Sequence, residues 1–302
     1  MIYVCEVVDQ YTVGCAGKGM RLSCVSDRGN VVLYDGEGVV SMEGREIYAK
    51  AIIDREEMLP VSIGNTSGVP GFWAHSMAPM GETIMWFTDE LDVVLSVECR
   101  MGWVFQSSAN VAGRDIIFVH ESVDGPFVDG RCASTSVSME NSEADILPCQ
   151  NVSYWDGGVV IHHEGVLETK HDLEAESLID GPFLIDFWPK FVGRHETGDV
   201  FALGQEAIAI GQGSKVDRLK WVGVVPGRFT QLGNMIVTFD DRNIGICSLS
   251  ERRMSVVALP KSEEEQFLNV LWDESKGEGD IAAWLLTSTS SGATKVRSLR
   301  IR

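Results

Sequence analysis

His162 and His163 stand side by side in an otherwise apolar stretch and are followed at once by Glu164, residue types that can ligate a metal or move protons. The flanking residues read as a strand, and successive strand side chains point to opposite faces, so one sheet surface cannot offer both rings to one ion. One ring of the pair is expected to face solvent. The other histidines, His75, His120, His171 and His195, are scattered and make no His-Glu-x-x-His spacing, so no structural metal site is expected.

Carboxylates are the next candidates. Asp124-Gly125-Pro126-Phe127 is echoed by Asp180-Gly181-Pro182-Phe183, the sharpest exact local repeat in the chain. Glycine permits unusual dihedrals and proline fixes φ and removes a donor, so each copy is expected to be a turn leading into an apolar strand. Asp89, Asp124, Asp180 and Asp240 could supply the two opposed carboxyl groups that sugar hydrolysis requires. Ser76, Ser107 and Ser134 lack a Gly-x-Ser-x-Gly elbow, and none of the cysteines has a recognisable nucleophile context. Gly204, Gly211 and Gly213 surround a strand and polar turn without a phosphate-binding helix to follow. No residue is therefore assigned a catalytic, cofactor-binding or metal-ligating role, and no cofactor is expected.

The elements that must carry these residues repeat. Asn234 to Leu249 reads as an apolar run, a polar turn at Asp240 to Asn243, and a second apolar run, which is a β-hairpin. Similar hairpins start near Asn30, Thr83, Asp115, Gly158, Asp199 and, less regularly, Asp280. Most starts lie about forty residues apart, the period of a propeller blade. The first interval is long and the second short, and the long one, which includes the polar Ile63 to Gly71, is expected to hold a long connecting loop or an extra strand pair. A tryptophan precedes six of the hairpins, at 73, 103, 155, 188, 221 and 272, and is expected to fill space between neighbouring sheets. The segments around them, including Phe183 to Val192 and Leu219 to Val225, read as extended.

Other stretches complete the pattern. Ile2 to Val8, Tyr11 to Cys15 and Met20 to Val25 look like separate strands. The first of these is placed against Lys295 to Arg302, closing the array. KVRSLRIR is expected to be an outermost strand whose four basic residues face water. Ser262 to Glu265 has the form of a capping box, yet Gln266 to Trp272 is read as a strand because that preserves the repeat. Glu174 to Leu178 has the look of a brief helical turn.

The chain has 302 residues and a formal charge of −19, from 44 acidic and 25 basic side chains. That balance repels nucleic acid and anionic membrane and favours basic or mixed-charge protein partners. Seven cysteines, an odd number with no Cys-x-x-Cys, favour reduced thiols. Met1 to Val8 lacks the form of a signal peptide, and no stretch approaches the roughly 18 apolar residues of a membrane helix. The cytosol or nucleus is the expected location.

In its repeated antiparallel units the sequence resembles the broad class of β-propeller proteins, without the Trp-Asp and Gly-His marks of WD40 repeats or the signatures of kelch and RCC1-like repeats. The expected fold is all-β, a single propeller domain over residues 1–302 with four-stranded blades, seven in number, or six if the Thr83 and Asp115 hairpins share a blade. The expected function is a noncatalytic scaffold, a subunit or adaptor in a protein complex. Its contact regions are expected at Ile63 to Pro70, Ser134 to Asp145 and His171 to Ser177. The alternative is a propeller-fold glycoside hydrolase, because some five-bladed hydrolases carry an acidic-Gly-Pro segment that Asp124 or Asp180 loosely resembles.

Overall fold

The computed structural model describes residues 3–302 apart from 14–21, 27, 35–37, 53–58, 66–70, 79–80, 100–102, 112–113, 123–131, 139–143, 148–150, 156–157, 172–175, 196 and 274–280. The described residues form strands and turns, without a helix. β1 (Cys5–Val13) is followed by the sheet β2 (Leu22–Val25), β3 (Val31–Tyr34), β4 (Gly38–Glu43) and β5 (Glu46–Ile52). Next come β6 (Leu59–Asn65), β7 (Phe72–Ala78), β8 (Gly81–Phe87) and β9 (Val93–Cys99), then β10 (Trp103–Val111), β11 (Arg114–Ser122), β12 (Cys132–Ser138) and β13 (Ala144–Leu147). The fourth of these sheets is β14 (Asn151–Trp155), β15 (Gly158–His163), β16 (Val166–Lys170) and β17 (Leu178–Leu184). The fifth is β18 (Phe191–Arg194), β19 (Val200–Leu203), β20 (Ala207–Gln212) and β21 (Lys215–Lys220). The sixth is β22 (Phe229–Leu232), β23 (Met235–Phe239), β24 (Asn243–Ser248) and β25 (Arg253–Ala258). β26 (Gln266–Trp272), β27 (Ile281–Ser288) and β28 (Thr294–Ile301) complete their sheet with β1, giving seven four-stranded sheets among the described residues.

The chain divides into two compact units, one of Met1–Tyr3 with Val111–Ala258 and the other of Val4–Asn110 with Leu259–Arg302. In the second unit, β2–β4 are buried on both faces. Val25, Val31, Leu33 and Met42 pack against Leu271, Leu286 and Val296, while Cys24, Val32, Tyr34 and Val39 pack against Ile63, Phe72, Ala74 and Phe87. The period of two explains the unbroken apolar runs: a strand sandwiched between sheets needs apolar residues at every position. The first unit repeats the scheme around β18–β21. Val200, Ala202 and Ala209 join the β14–β17 side, and Phe201, Leu203, Ile208 and Ile210 join Ile236, Cys247 and Leu249. Each such fully buried Val, Leu, Ile or Phe side chain contributes about 2 kcal/mol.

The sequence pattern is slightly out of phase with these sheets in one place. Six of the seven hairpins begin with the second strand of their sheet, but the one at Thr83 is formed by the third and fourth, β8 and β9. Its true second strand is β7, which restores an interval of about forty residues. The long first interval therefore holds one extra strand rather than an extra pair, and the six-blade alternative falls because β6–β9 and β10–β13 are separate sheets. Tyr11 belongs to the same strand as Cys5, with a bulge between Val7 and Asp9 in place of a break. Ser262–Glu265 makes a turn ahead of β26, and the Glu265 carboxylate still accepts the Ser262 N–H at 3.3 Å, the side-chain half of a capping box without its helix.

The N- and C-terminal strands pair antiparallel, Cys5 opposite Ile301 and Val13 opposite Thr294, as expected. The placement of KVRSLRIR at the edge is corrected: β1 is outermost and β28 lies between it and β27. Arg297 is consequently 6% exposed, where its guanidinium donates to Glu265 Oε1 (2.6 Å), Gln10 Oε1 (3.0 Å) and Thr287 Oγ1 (3.4 Å). Lys295 adds a 2.7 Å bond to the same glutamate oxygen.

A five-residue turn recurs at Ser26–Asn30, Thr88–Asp92, His195–Asp199 and Thr289–Ala293. The first N–H donates to the fifth carbonyl, and the fourth N–H donates to the first carbonyl. The fourth residue has φ of +85° at Gly29, +94° at Gly198 and +81° at Gly292, but at Thr88–Asp92 it is Leu91, at +71°. A leucine Cβ in that region costs about 1–2 kcal/mol. Leu91→Gly relieves that strain but frees the unfolded chain and removes a half-buried side chain packed against the Val32 and Phe72 cluster, so it is expected to leave stability unchanged to within about 1 kcal/mol. Chemical denaturation monitored by tryptophan fluorescence checks it.

Candidate functional site

Of the residues singled out for chemistry, His162, His195, Asp89, Asp180 and Asp240 are engaged in holding the fold. His162 and His163 face opposite sides of β15: His162 is fully buried and His163 exposed. The His162 ring stands edge-on to Trp188 at 5.8 Å between centroids, and neither ring nitrogen has a hydrogen-bond partner among the described residues. Burial lowers its pKa from 6.5 to about 4, with His163 adding a smaller repulsive contribution. His195 is buried in its five-residue turn, where Nδ1 lies 2.7 Å from Thr197 Oγ1 and that hydroxyl lies 2.9 Å from Asp199. Arg252 bridges Asp199 and Asp217, tying two neighbouring sheets. His171 is exposed in the bend after β16, and His75 and His120 lie in β7 and β11.

The carboxylates are likewise occupied. Asp240 Oδ1 accepts the N–H groups of Arg242 (2.8 Å) and Asn243 (2.7 Å), and Oδ2 accepts that of Val225 (2.9 Å). Asp89 is buried beside Arg28 at 3.7 Å. Asp180 pairs with Arg194 at 3.2 Å, and its backbone is clamped by the Thr169 hydroxyl, which accepts at 2.7 Å and donates at 3.1 Å. Asp180-Gly-Pro-Phe is not the expected turn: it lies inside β17, with a register shift and Gly181 at φ +100°. Pro182 is tolerated because β17 is the outermost strand of its sheet, where a missing donor breaks no ladder. Asp124 and its copy of the motif lie outside the described residues. So do 66–70, 139–143 and 172–175, which fall in the three expected contact regions; their described flanks include the ends of β6, β12 and β13.

Ser76, Ser107 and Ser134 belong to β7, β10 and β12, Gly211 lies in β20, and Gly213 is in the turn after it. Gly204 accepts a 3.1 Å bond from Trp221 Nε1 through its carbonyl. The six tryptophans ahead of hairpins do not share one place. Trp103, Trp155 and Trp272 sit in first strands and Trp73 in a second strand, whereas Trp188 and Trp221 lie in the linkers between sheets. Trp188 is 48% exposed.

The linker from Trp221 to Gly227 is the surface feature that sequence reasoning missed. Leu219 to Val225 is not one extended strand, because β21 ends at Lys220 and Gly223 turns the chain at φ +77°. Val224 is buried, and Gly245 of β24 gives it room: an added Cβ there would lie 2.7 Å from Val224 Cγ1. Asp240 holds the Val225 N–H, and Asn243 Nδ2 donates to the Gly223 carbonyl at 3.0 Å. Val222 and Val225 are thereby held outward, 71% and 73% exposed. The charge around this linker also runs against the whole. From Gly211 to Ala258 there are seven basic residues (Lys215, Arg218, Lys220, Arg228, Arg242, Arg252, Arg253) and four acidic ones (Asp217, Asp240, Asp241, Glu251), a net +3 in a chain of −19. A running charge along the sequence carries this signal; the total hides it.

No family model and no curated protein matches the chain. Solved structures do match over nearly its full length. The propeller domain of Myceliophteria thermophila Cps50 (Swd1) superposes with a TM-score of 0.60 at 10% identity, covering 98% of this chain and 99% of that one. The chain is a β-propeller. Kluyveromyces lactis Hsv2 matches with a TM-score of 0.55 at 9% identity, over 94% of this chain and 98% of that one. The N-terminal domain of Nup159 matches at 0.56 and 11%, over 99% and 96%. At such identities the likeness concerns the propeller's backbone; its side chains carry their own account. Among its described residues no helix is long and apolar enough to cross a membrane.

Proposed function

We propose that this propeller is a noncatalytic scaffold, with residues 1–302 forming one domain that acts as a subunit or adaptor in a protein complex in the cytosol or nucleus. The observation that carries the reading is how its polar and apolar groups are used. Asp240, His195 and Thr169 are consumed by bonds within their own turns and sheets, and Asp89 and Asp180 by arginines of neighbouring sheets, while Val222 and Val225 are fixed outward on a braced linker. Exposed apolar side chains held in place favour association because little ordering is left to do on binding. The formal charge of −19 favours a basic or mixed-charge partner and disfavours direct nucleic-acid or membrane contact. Sugar hydrolysis would need two carboxyl groups free to face a glycosidic bond, and Asp180 and Asp240 are both engaged elsewhere.

The test is affinity purification of the full chain near physiological salt, followed by gel filtration and mass measurement. A partner of fixed stoichiometry that survives both steps is expected. Hydrolysis of aryl glycosides by the purified chain, abolished by Asp180→Asn or Asp240→Asn, would overturn the scaffold reading.

A further inference from the structure

The end of β15 and the start of β16 carry a pocket of about 210 Å³, lined by Ile161, His163, Glu164, Val166 and Glu168. His163 lies opposite Val166 and Ile161 opposite Glu168, so these four side chains share one face of the sheet. Leu184 of β17, opposite Val166, extends that face and is 78% exposed. The reverse face, with Val160 and Leu167, is the one packed against β18–β21. Glu164 and Gly165 join the two strands in a two-residue turn with φ of +49° and +80°. Turns of this kind favour Asn, Asp or Gly at their first position. A glutamate there is strained, and what it adds is a carboxylate in the lining of the pocket.

We infer that this pocket receives a lysine or arginine side chain from a basic segment of a partner protein. The inference rests on the scaffold reading and deepens it, by giving the basic partner a place on the propeller. Size selects a single side chain: pockets for whole small molecules run from about 300 to 1,000 Å³, and this one is smaller. The lining selects the chemistry. A long cationic side chain can lay its methylene stem on Ile161 and Val166 while its charged head stays in water beside Glu164 and Glu168. Lys170 leaves that role open, because its Nζ lies 3.8 Å from Glu168 in a partly exposed pair that contributes little. Charge complementarity points the same way. Residues 151–184, the span of β14–β17, carry seven carboxylates and one basic residue, Lys170, an acidic excess per residue about three times that of the whole chain. A nucleic acid is repelled by such a surface. The strained turn is an independent pointer, since backbone strain collects at sites of binding.

The experiment uses the full chain and a short fluorescein-labelled peptide of alternating Lys and Ser residues, with anisotropy as the readout. Saturable binding is expected, weakening as salt is raised. Norleucine in place of lysine keeps the stem without the charge, and diaminopropionate keeps the charge on a short stem; both peptides are expected to lose affinity. Glu164→Asn/Glu168→Gln is expected to raise Kd by about tenfold or more. Glu164→Asn alone should not lower the denaturation midpoint, because asparagine suits the turn. Glu206→Gln/Asp241→Asn removes as much charge from exposed turns of two other sheets and is expected to leave Kd unchanged. An equal loss in that control, equal binding of the norleucine peptide, or spermidine binding as tightly as the lysine peptide would overturn the assignment. Absence of peptide binding would also sink the pocket, and a stable stoichiometric partner complex found alongside it would leave the scaffold reading standing.

Discussion

Arg297→Met is expected to destabilise the protein by about 3–5 kcal/mol, the range for removing one member of a buried ion pair. Glu265 and Arg297 are 8% and 6% exposed, and the arginine's three nitrogens are divided among Glu265, Gln10 and Thr287. Truncation leaves the carboxylate buried with Lys295 as its remaining cation, and it releases Gln10 of the N-terminal strand from the C-terminal hairpin. The cost comes from the stranded charge, so Glu265→Leu/Arg297→Met is expected to recover most of the loss. Acid sensitivity supplies a second readout. The hydrogen bond from Arg297, reinforced by Lys295, lowers the Glu265 pKa from 4.5 to about 2 against the opposing effect of burial. A carboxyl with a depressed folded pKa contributes stability that is full above its unfolded pKa and is lost as pH falls through the folded value. The wild type should therefore lose about 3 kcal/mol between pH 5 and pH 2 through this group, and the double variant should not. Urea titrations across that range check both expectations, and a single variant no less stable than the double would contradict the account.

The hairpins were legible in the sequence because strands sandwiched between sheets write unbroken apolar runs, as in Val31–Tyr34 and Ala207–Ile210. The phase error at Thr83 has a local cause. The true second strand, Phe72–Ala78, carries His75 and Ser76 in its middle and makes a weaker apolar signal than Gly81–Phe87 after it. In sequence Arg297 looks like an edge residue because nothing near it can neutralise it; its partner lies 32 residues earlier, and only the sheet order brings them together. Leu219 to Val225 departs from its sequence pattern for a related reason. Its valines look like core strand residues until Asp240 and Asn243, on a turn of the next sheet, are seen to capture the backbone of a linker. Local periodicity records which faces are buried; it does not record which distant side chain completes a site.

The same limit separates the two histidines, whose alternation was legible while the environment of the inner ring was not. His162 lies beside Leu167 on the face that meets Trp188, with both ring nitrogens buried and unpaired among the described residues. Folding is therefore tied to the neutral ring. Because the folded pKa, about 4, is below the unfolded value near 6.5, the unfolded chain takes up a proton that the folded chain refuses. Stability from this group is complete above pH 6.5 and is lost as pH falls, by about 3 kcal/mol once pH 4 is reached. That window lies above the one governed by Glu265, so acid unfolding should proceed in two limbs with separate residues behind them. His162→Leu conserves volume approximately and removes both unpaired nitrogens, so it is expected to raise stability at pH 7 by about 1–3 kcal/mol and to flatten the upper limb alone. Denaturant midpoints at pH 7, 5.5 and 4.5 test this. A leucine variant that keeps the wild-type slope between pH 6.5 and 4 would mean that another group takes up the proton and that His162 is charged without penalty in the folded state.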